Sequence, residues 1–160
     1  EALFIMNKSE QALARIKDRY KPMVDSELTT LWELFDLGNT SYNHGWSGGP
    51  LSIMYKYIAG IKPTKPGFEQ FEVFPEPIGY QDINCSISTI KGDVSLSYSQ
   101  NGNNKTMEIS VPKKTQAIVR IPITKSAKFK GKGKFNSLKN KTDSSYKYYS
   151  IFSGKWVINY

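Results

Sequence analysis

Residues 83–98 read Ile-Asn-Cys-Ser-Ile-Ser-Thr-Ile-Lys-Gly-Asp-Val-Ser-Leu-Ser-Tyr, and this stretch decides the fold. Apolar and polar side chains alternate on both sides of Lys91-Gly92-Asp93. This period of two predicts strands with one buried face, because successive side chains in a strand point to opposite faces of a sheet. The Lys-Gly-Asp triplet is typical of a tight turn. The stretch therefore predicts two neighbouring strands joined by that turn.

The same alternation extends outward from this pair to the C-terminus. It recurs at 71–73, 107–111 and 117–121, and Pro112-Lys113-Lys114 between the last two is a turn signal. Residues 146–160, with Ser153-Gly154-Lys155 near their middle, predict a closing hairpin. Seven or eight short strands separated by turns are typical of an antiparallel β-sandwich.

The first sixty residues have helical spacing instead. Ser9 is predicted to cap a helix that ends before Pro22, and its apolar face is formed by Ala12, Leu13, Ile16 and Tyr20. A later helix is predicted to begin at Pro50 and end at Gly60, with Leu51, Met54, Tyr55 and Ile58 on one face. After Gly60 the period changes to two. The predicted fold class is therefore α+β, a short N-terminal helical segment followed by an antiparallel β-sandwich.

These patterns predict three parts of the chain. Residues 1–62 are terminal helices, 63–80 are a Pro/Gly linker with the first strand, and 81–160 are the sandwich. A few helices without partners cannot bury their apolar faces, whereas seven or eight strands can enclose a core. The helical part is therefore predicted to be the last segment of a larger helical domain.

Composition excludes several classes of protein. The 160 residues are 39% hydrophobic and 13% aromatic, which is enough for a folded core. A single cysteine, Cys85, excludes an internal disulfide, and its place in an alternating strand indicates a small apolar role. One histidine and one cysteine cannot form a metal cluster, so no metal or cofactor is predicted. No stretch approaches the roughly 18 apolar residues of a membrane span.

The net charge of +8 is concentrated in the second half of the chain. Residues 1–80 contain 8 basic and 10 acidic residues, and residues 81–160 contain 14 and 4. Seven lysines lie between 125 and 141: Lys125, Lys128, Lys130, Lys132, Lys134, Lys139 and Lys141. Arginine is nearly absent there and no nucleic-acid motif accompanies the lysines, so a solvated edge strand is favoured over nucleic-acid binding. An anionic polysaccharide is the alternative ligand.

The densest polar and aromatic stretch lies between the predicted helices, at 29–33 and 41–50. It contains Trp32, Glu33, His44 and Trp46, together with three glycines. A ring to stack on, hydrogen-bonding groups and a carboxylate that moves a proton are what a sugar pocket needs. The alternative is structural: two core rings, a hydrogen-bonded histidine and a surface charge. Composition alone favours the structural alternative.

A family resemblance favours the sugar pocket. Thr-Thr-Leu-Trp-Glu at 29–33, Asn-His-Gly-Trp-Ser-Gly-Gly-Pro at 43–50 and Gly-Ile-Lys-Pro-Thr at 60–64 resemble, in order and spacing, the end of bacterial α-L-rhamnosidases of glycoside hydrolase family seventy-eight. The resemblance implies that the helices are the last ones of an (α/α)6 barrel. It also implies that Glu33 is the general base and that Trp32, His44 and Trp46 line the rhamnose subsite. Many relatives have an aromatic-rich stretch after the Asn-His pair, where this sequence has Gly-Trp-Ser-Gly-Gly-Pro instead.

The family is thought to invert configuration, which needs two carboxyl groups about 6.5 to 9.5 Å apart. Glu27 and Asp36 lie near Glu33 in sequence, but the family's general acid lies on an earlier barrel loop. The chain alone is therefore predicted to be inactive, and its expected partners are the missing barrel and a rhamnose-containing glycoside or polysaccharide. Self-association through uncovered helices is also expected. Nucleic acid and membrane are not expected as binding partners.

The alternative function is a non-catalytic module that binds carbohydrate or stabilises a partner chain. Fold alone does not decide between these functions, because sandwiches have many roles. Localisation is undetermined from the sequence. A bacterial parent enzyme would be periplasmic or extracellular if it is exported.

Overall fold

The structure is a computed structural model that describes residues 1–35, 38, 40–138 and 143–160. The chain divides into two compact units, Glu1–Met54 and Tyr55–Tyr160. Helices come first and eight strands follow, so the predicted α+β class is confirmed. The division into three parts at residues 62 and 80 stays a prediction. None of the described helices is long and apolar enough to cross a lipid bilayer.

The described part of the first unit contains three α-helices. These are α1 (Ala2–Ile5), α2 (Ser9–Val24) and α3 (Gly49–Ile53), and a 3-10 turn, Gly45–Gly48, precedes α3. A π-helical turn, Met54–Ile58, continues α3. Gly60 follows with a φ of 68°, a left-handed conformation that suits glycine at a helix end, as the sequence predicted.

Helix α2 differs from its prediction at both ends. Lys8 is the N-cap and Ser9 is the first helical residue, without a side-chain capping bond, so the predicted cap was wrong by one residue. Pro22 lies inside the helix, which ends at Val24. Pro22 cannot donate a backbone hydrogen bond, and burial of Met23 favours the extra turn despite this loss.

Eight strands are formed by the residues of the second unit that the structure describes. They are β1 (Ile61–Pro63), β2 (Gln70–Val73), β3 (Asp82–Thr89), β4 (Gly92–Asn101), β5 (Asn104–Pro122), β6 (Lys128–Gly131), β7 (Phe135–Leu138) and β8 (Tyr146–Asn159). β2 pairs parallel with β5, and every other pairing between the described strands is antiparallel. Ile61 and Lys62, which were predicted to belong with the helices, lie in β1.

Strands β5 and β8 correct two sequence predictions. The segments 107–111 and 117–121 are one continuous strand, and 146–160 is a single strand rather than a hairpin. The two breaks lie side by side: Val111 pairs with Gly154 and Gln116 pairs with Phe152, with an irregularity between them. Pro112 and Gly154 therefore form a shared bulge instead of ending the strands, and bulges bend strands.

The shared bulge makes β5 and β8 common to two layers. One layer has the order β3-β4-β5-β8-β6, and the other has the order β1-β2-β5-β8-β7. A single hydrophobic core contains buried residues of both layers, among them Leu96 and Met107 from the first and Phe71 and Ile151 from the second. The predicted β-sandwich is thereby confirmed. Cys85 faces this core, and burial raises the pKa of its thiol.

The Lys-Gly-Lys-Gly-Lys sequence at 130–134 is explained by Trp156. A Cβ atom on Gly131 would lie 2.6 Å from the Trp156 ring, and one on Gly133 would lie 2.8 Å from it. The glycines therefore allow close packing on the indole. The four lysines at 128, 130, 132 and 134 are exposed, and β6 pairs with β8 alone among the described strands, as predicted for an edge. Lys139 and Lys141 lie outside the described residues.

Candidate active site

The candidate site in the first unit is built on two irregular segments that are joined by backbone hydrogen bonds. The backbone N–H of Glu33 donates to the carbonyl of Ser41, and the N–H of His44 donates to the carbonyl of Leu31; both bonds are 2.9 Å long. The hydroxyl of Thr30 donates to the carbonyl of Tyr42. Residues that are about ten positions apart in the sequence are therefore brought together.

Glu33 is held through both its backbone and its side chain. The backbone N–H of Ser41 donates to Oε2 of the Glu33 carboxylate at 3.2 Å. The indole N–H of Trp46 donates to the Glu33 carbonyl at 3.1 Å. The carboxylate is half-buried, so it has a fixed position and remains open to solvent on one side.

His44 and Trp46 form an aromatic pair next to Glu33. Their ring centroids are 4.3 Å apart and the ring planes are tilted by 38°. The Trp46 side chain is 67% exposed, which is unusual for so large an apolar ring. Nδ1 of His44 is buried and has no hydrogen-bond partner in the described part of the chain. The pair therefore presents the open aromatic face of Trp46, while the unpaired nitrogen of His44 lies below the surface.

Trp32 occupies a different position from the other three candidates. Its side chain is 1% exposed, and the hydroxyl of Ser47 donates to its carbonyl. Within residues 1–35, 38, 40–138 and 143–160, its indole N–H is buried without a hydrogen-bond partner. The structure thus brings together Glu33, His44 and Trp46, and places the ring of Trp32 in the interior of the unit.

Two supporting residues were not predicted from the sequence. Ser41 holds the Glu33 carboxylate through its backbone N–H, which no side-chain pattern reveals. Tyr20 on α2 donates its hydroxyl to the carbonyl of Ser47 at 3.0 Å, and burial raises the pKa of that hydroxyl. The same ring makes an edge-to-face contact with Phe35 at 5.3 Å. Tyr20 was predicted only as an apolar helix position, and the helical period could not show its bond.

The acidic residues nearest to Glu33 in the sequence are Glu27 and Asp36. Glu27 is exposed, and Asp36 lies outside the described residues. The described residues contain no group of three or more histidine, cysteine, aspartate or glutamate side chains placed to bind a metal ion.

Comparison with known families concerns mainly the second unit. Residues 60–136 match the family described as "Bacterial alpha-L-rhamnosidase C-terminal domain". The matched segment belongs to this family. It begins at Gly60, at the end of the π-helical turn, and includes β1 to β6 and the start of β7.

Curated relatives of the rhamnosidase C-terminal domain are long enzymes. An α-L-rhamnosidase of Streptomyces avermitilis is 31% identical over 110 residues, which cover 62% of this chain and 11% of the relative. An α-L-rhamnosidase of Formosa agariphila is 25% identical over 118 residues, which cover 67% of this chain and 13% of the relative. The chain therefore spans about one eighth of the length of the curated rhamnosidases that it matches.

Solved rhamnosidase structures share the fold of nearly the whole chain. The Streptomyces avermitilis α-L-rhamnosidase complexed with L-rhamnose has a TM-score of 0.82 at 22% identity, over 99% of this chain and 16% of that one. The enzyme from Dictyoglumus thermophilum has a TM-score of 0.77 at 23% identity, over 98% of this chain and 19% of that one. The chain is thus similar in fold to a C-terminal fragment of a rhamnosidase, including its helical part.

Proposed function

We propose that this chain is the C-terminal part of an enzyme that hydrolyses terminal α-L-rhamnosides with inversion of configuration, and that Glu33 is its general base. The observation that carries the proposal is the fixed, half-buried Glu33 carboxylate beside the exposed Trp46 ring. Membership of the rhamnosidase C-terminal domain family supports the choice of sugar.

The proposed reaction uses Glu33 to activate water. Its carboxylate accepts a proton from a water molecule while the water oxygen forms a bond to the anomeric carbon. A second carboxyl group, about 6.5 to 9.5 Å away, donates a proton to the glycosidic oxygen as the bond from that oxygen to the anomeric carbon breaks. We propose that this acid comes from another part of the complete enzyme. The bond from Ser41 to Oε2 leaves the Oε1 atom of Glu33 as the free proton acceptor.

The aromatic pair is proposed to bind the sugar ring. L-Rhamnose has an apolar methyl group and C–H faces, which suit stacking on the exposed Trp46 ring. The ring of His44, whose centroid lies 4.3 Å from that of Trp46, is proposed to hold the Trp46 ring in place for this stacking. For Trp32 the proposal is narrower: its buried ring supports the segment that carries Glu33.

The helical unit is proposed to pack against further helices of the complete enzyme. Among the described residues, fifteen large apolar side chains are more than a third exposed, and eleven of these lie in residues 1–54. They are Ile5, Met6, Val24, Leu28, Leu31, Leu34, Phe35, Tyr42, Trp46, Leu51 and Met54. So much exposed apolar surface in one small unit is typical of an interface. In the isolated chain the same surface would favour self-association.

We expect the isolated 160-residue chain to release no rhamnose from an aryl α-L-rhamnoside. The reason is that the described residues supply one positioned carboxylate, Glu33, whereas inversion needs two. The measurement is release of the aryl chromophore at high protein concentration over several hours. Release that exceeds the buffer blank and disappears in the Glu33→Gln variant would contradict the proposal that the acid lies elsewhere.

We expect the isolated chain to bind L-rhamnose weakly, in roughly the millimolar range. Trp46→Ala should weaken this binding about 3- to 10-fold, because stacking on an aromatic ring contributes of order 1 kcal/mol. Titration followed by tryptophan fluorescence or nuclear magnetic resonance measures it. Tyr80→Ala removes an exposed ring of the second unit and serves as the control, with unchanged affinity expected. Equal losses in the two variants, or no binding at tens of millimolar sugar, would count against the site.

A further inference from the structure

A groove of about 500 Å³ crosses the outer face of the layer β3-β4-β5-β8, on the second unit. Four small polar side chains line it, Asn84, Ser95, Ser97 and Ser110. The lining also includes Val157 and four residues of the core or packed against it: Cys85, Leu96, Ile109 and Trp156. Glu108 and Lys155 provide its charged groups. We refer to the six polar and charged residues as the polar groove. It is separate from Glu33, which lies in the first unit.

The strand register places the polar groove and a set of lysines on one face. Paired residues of neighbouring antiparallel strands point to the same side of a sheet. Lys130 pairs with Val157, which pairs with Glu108, and this row continues through Ser97 to Asn84. An adjacent row contains Lys155, Ser110 and Ser95. A third row contains Lys128, Asn159, Thr106 and Ser99.

The lysines at the β8–β6 edge of this face are uncompensated. Lys128, Lys130 and Lys155 are exposed, and no carboxylate of the described residues forms an ion pair with them. Between Glu108 and Asp143 the sequence contains ten lysines and arginines and no acidic residue. One side of the polar groove is therefore strongly positive, while its floor is formed by hydroxyl and amide groups.

We propose that the polar groove and its lysine edge bind an acidic polysaccharide, with sugar hydroxyls on the groove floor and anionic groups at Lys128, Lys130 and Lys155. Serine and asparagine side chains both donate and accept hydrogen bonds, and Glu108 accepts them from hydroxyls, so the floor fits a ligand rich in hydroxyl groups. Five strands spaced about 4.8 Å apart give a face of about 19 Å, which takes several sugar rings.

The same face fits nucleic acid poorly. Trp156 is the aromatic residue that lines the groove, but it is only 1% exposed and so offers no open ring for stacking on bases. Among the described residues no arginine lines the groove to read base edges, and the Glu108 carboxylate would repel phosphates. A carboxylate inside a groove with a lysine edge instead suits a polymer in which hydroxyls and anionic groups alternate. The anionic groups can be carboxylates of uronic acids or sulfate esters, because both would form the same kind of ion pair with the lysine side chains.

The test compares polymers by affinity electrophoresis and calorimetry with the 160-residue chain. The probes are polygalacturonate, dextran sulfate, neutral dextran and a DNA duplex. We expect binding to one or both acidic polysaccharides, weakened as NaCl rises because exposed charges are screened. Binding to polygalacturonate alone identifies carboxylates as the anionic groups, and binding to dextran sulfate alone identifies sulfate esters. Both results support the proposal.

The variant Lys128→Gln/Lys130→Gln/Lys155→Gln is expected to bind the acidic polysaccharide at least about tenfold more weakly. Each of the three substitutions removes one contact with an anionic group. The matched control, Lys65→Gln/Lys113→Gln/Lys147→Gln, removes the same charge from exposed positions of the same unit. It should retain affinity within about twofold. Ser97→Leu, which fills the groove without changing charge, should weaken binding about fivefold. Circular dichroism checks the fold of each variant.

Several results would overturn the proposal. One is no binding to either acidic polymer, another is equal losses in the two triple variants, and a third is DNA binding as tight as that of the acidic polysaccharides. The first result would show that the polar groove is not a binding site. Either of the others would show that binding depends only on the overall positive charge of the chain. Because the polar groove does not include Glu33, Glu33→Gln should leave polymer binding unchanged, so this proposal and the catalytic proposal fail separately.

Discussion

In the complete enzyme that contains this chain, Glu33→Gln is expected to lower kcat for an aryl α-L-rhamnoside by about 100- to 10,000-fold, with little change in KM, because general base catalysis contributes about that factor. The amide of glutamine cannot accept a proton from water. Its carbonyl oxygen can still accept the bond that Ser41 donates to Oε2 of Glu33, at 3.2 Å. The variant therefore removes the base and keeps the contact that positions it.

Two further variants separate a base from a structural residue. Glu27→Gln changes an exposed carboxylate of the same segment, and we expect it to keep kcat within about threefold. Glu33→Ala should regain part of its activity with added azide, since a small anion can replace the activated water. Loss of thermal stability in Glu33→Gln, or a kcat equal to that of Glu27→Gln, would reject the assignment of Glu33 as the base.

The positions of the strands followed from the sequence, but the lengths of two of them did not. Alternation at 83–87 and 94–98 identified β3 and β4 because each strand buries one face in the core. Proline and glycine commonly mark the ends of strands, so Pro112 and Gly154 indicated strand ends here. The sequence could not show that the two breaks lie opposite each other, because that depends on the pairing of β5 with β8. Only the pairing turns two apparent ends into one shared bulge.

The site was predictable to the extent that it is local. Leu31 to Glu33 and Ser41 to Trp46 are close in sequence, and two backbone hydrogen bonds bring them together. Trp32 and Glu33 were predicted to face the same ligand, whereas the ring of Trp32 is 1% exposed and Glu33 is half-buried. This segment is neither a helix nor a strand, so no side-chain period applies to it. The sequence therefore could not show that the two neighbouring side chains differ in burial.

The largest effect on folding is expected at Gly60. The substitution Gly60→Ala should lower the free energy of unfolding of the second unit by about 4 kcal/mol or more, which corresponds to a fall in Tm of about 15 °C or more. A Cβ atom at this position would lie 1.7 Å from the carbonyl oxygen of Phe74 and 2.1 Å from its carbonyl carbon. Real Cβ atoms do not approach a backbone so closely, so β1 and β2 would have to separate. Urea denaturation followed by circular dichroism measures the change.

We expect most of the stability loss in Gly60→Ala to come from the clash with Phe74 and less of it from the positive φ angle. Gly102 provides a test of this distinction. Gly102 has a φ of 58°, close to the 68° of Gly60, but a Cβ atom there would meet nothing within 4 Å. Gly102→Ala should therefore cost only about 1 to 2 kcal/mol, the usual cost of a left-handed alanine. The backbone N–H of Phe74 donates to the Gly60 carbonyl at 3.0 Å, so separation would also break this bond and expose the buried Ile61 and Val73. Equal losses at Gly60 and Gly102 would show that the backbone angle alone is responsible and that β1 and β2 adapt to the added methyl group.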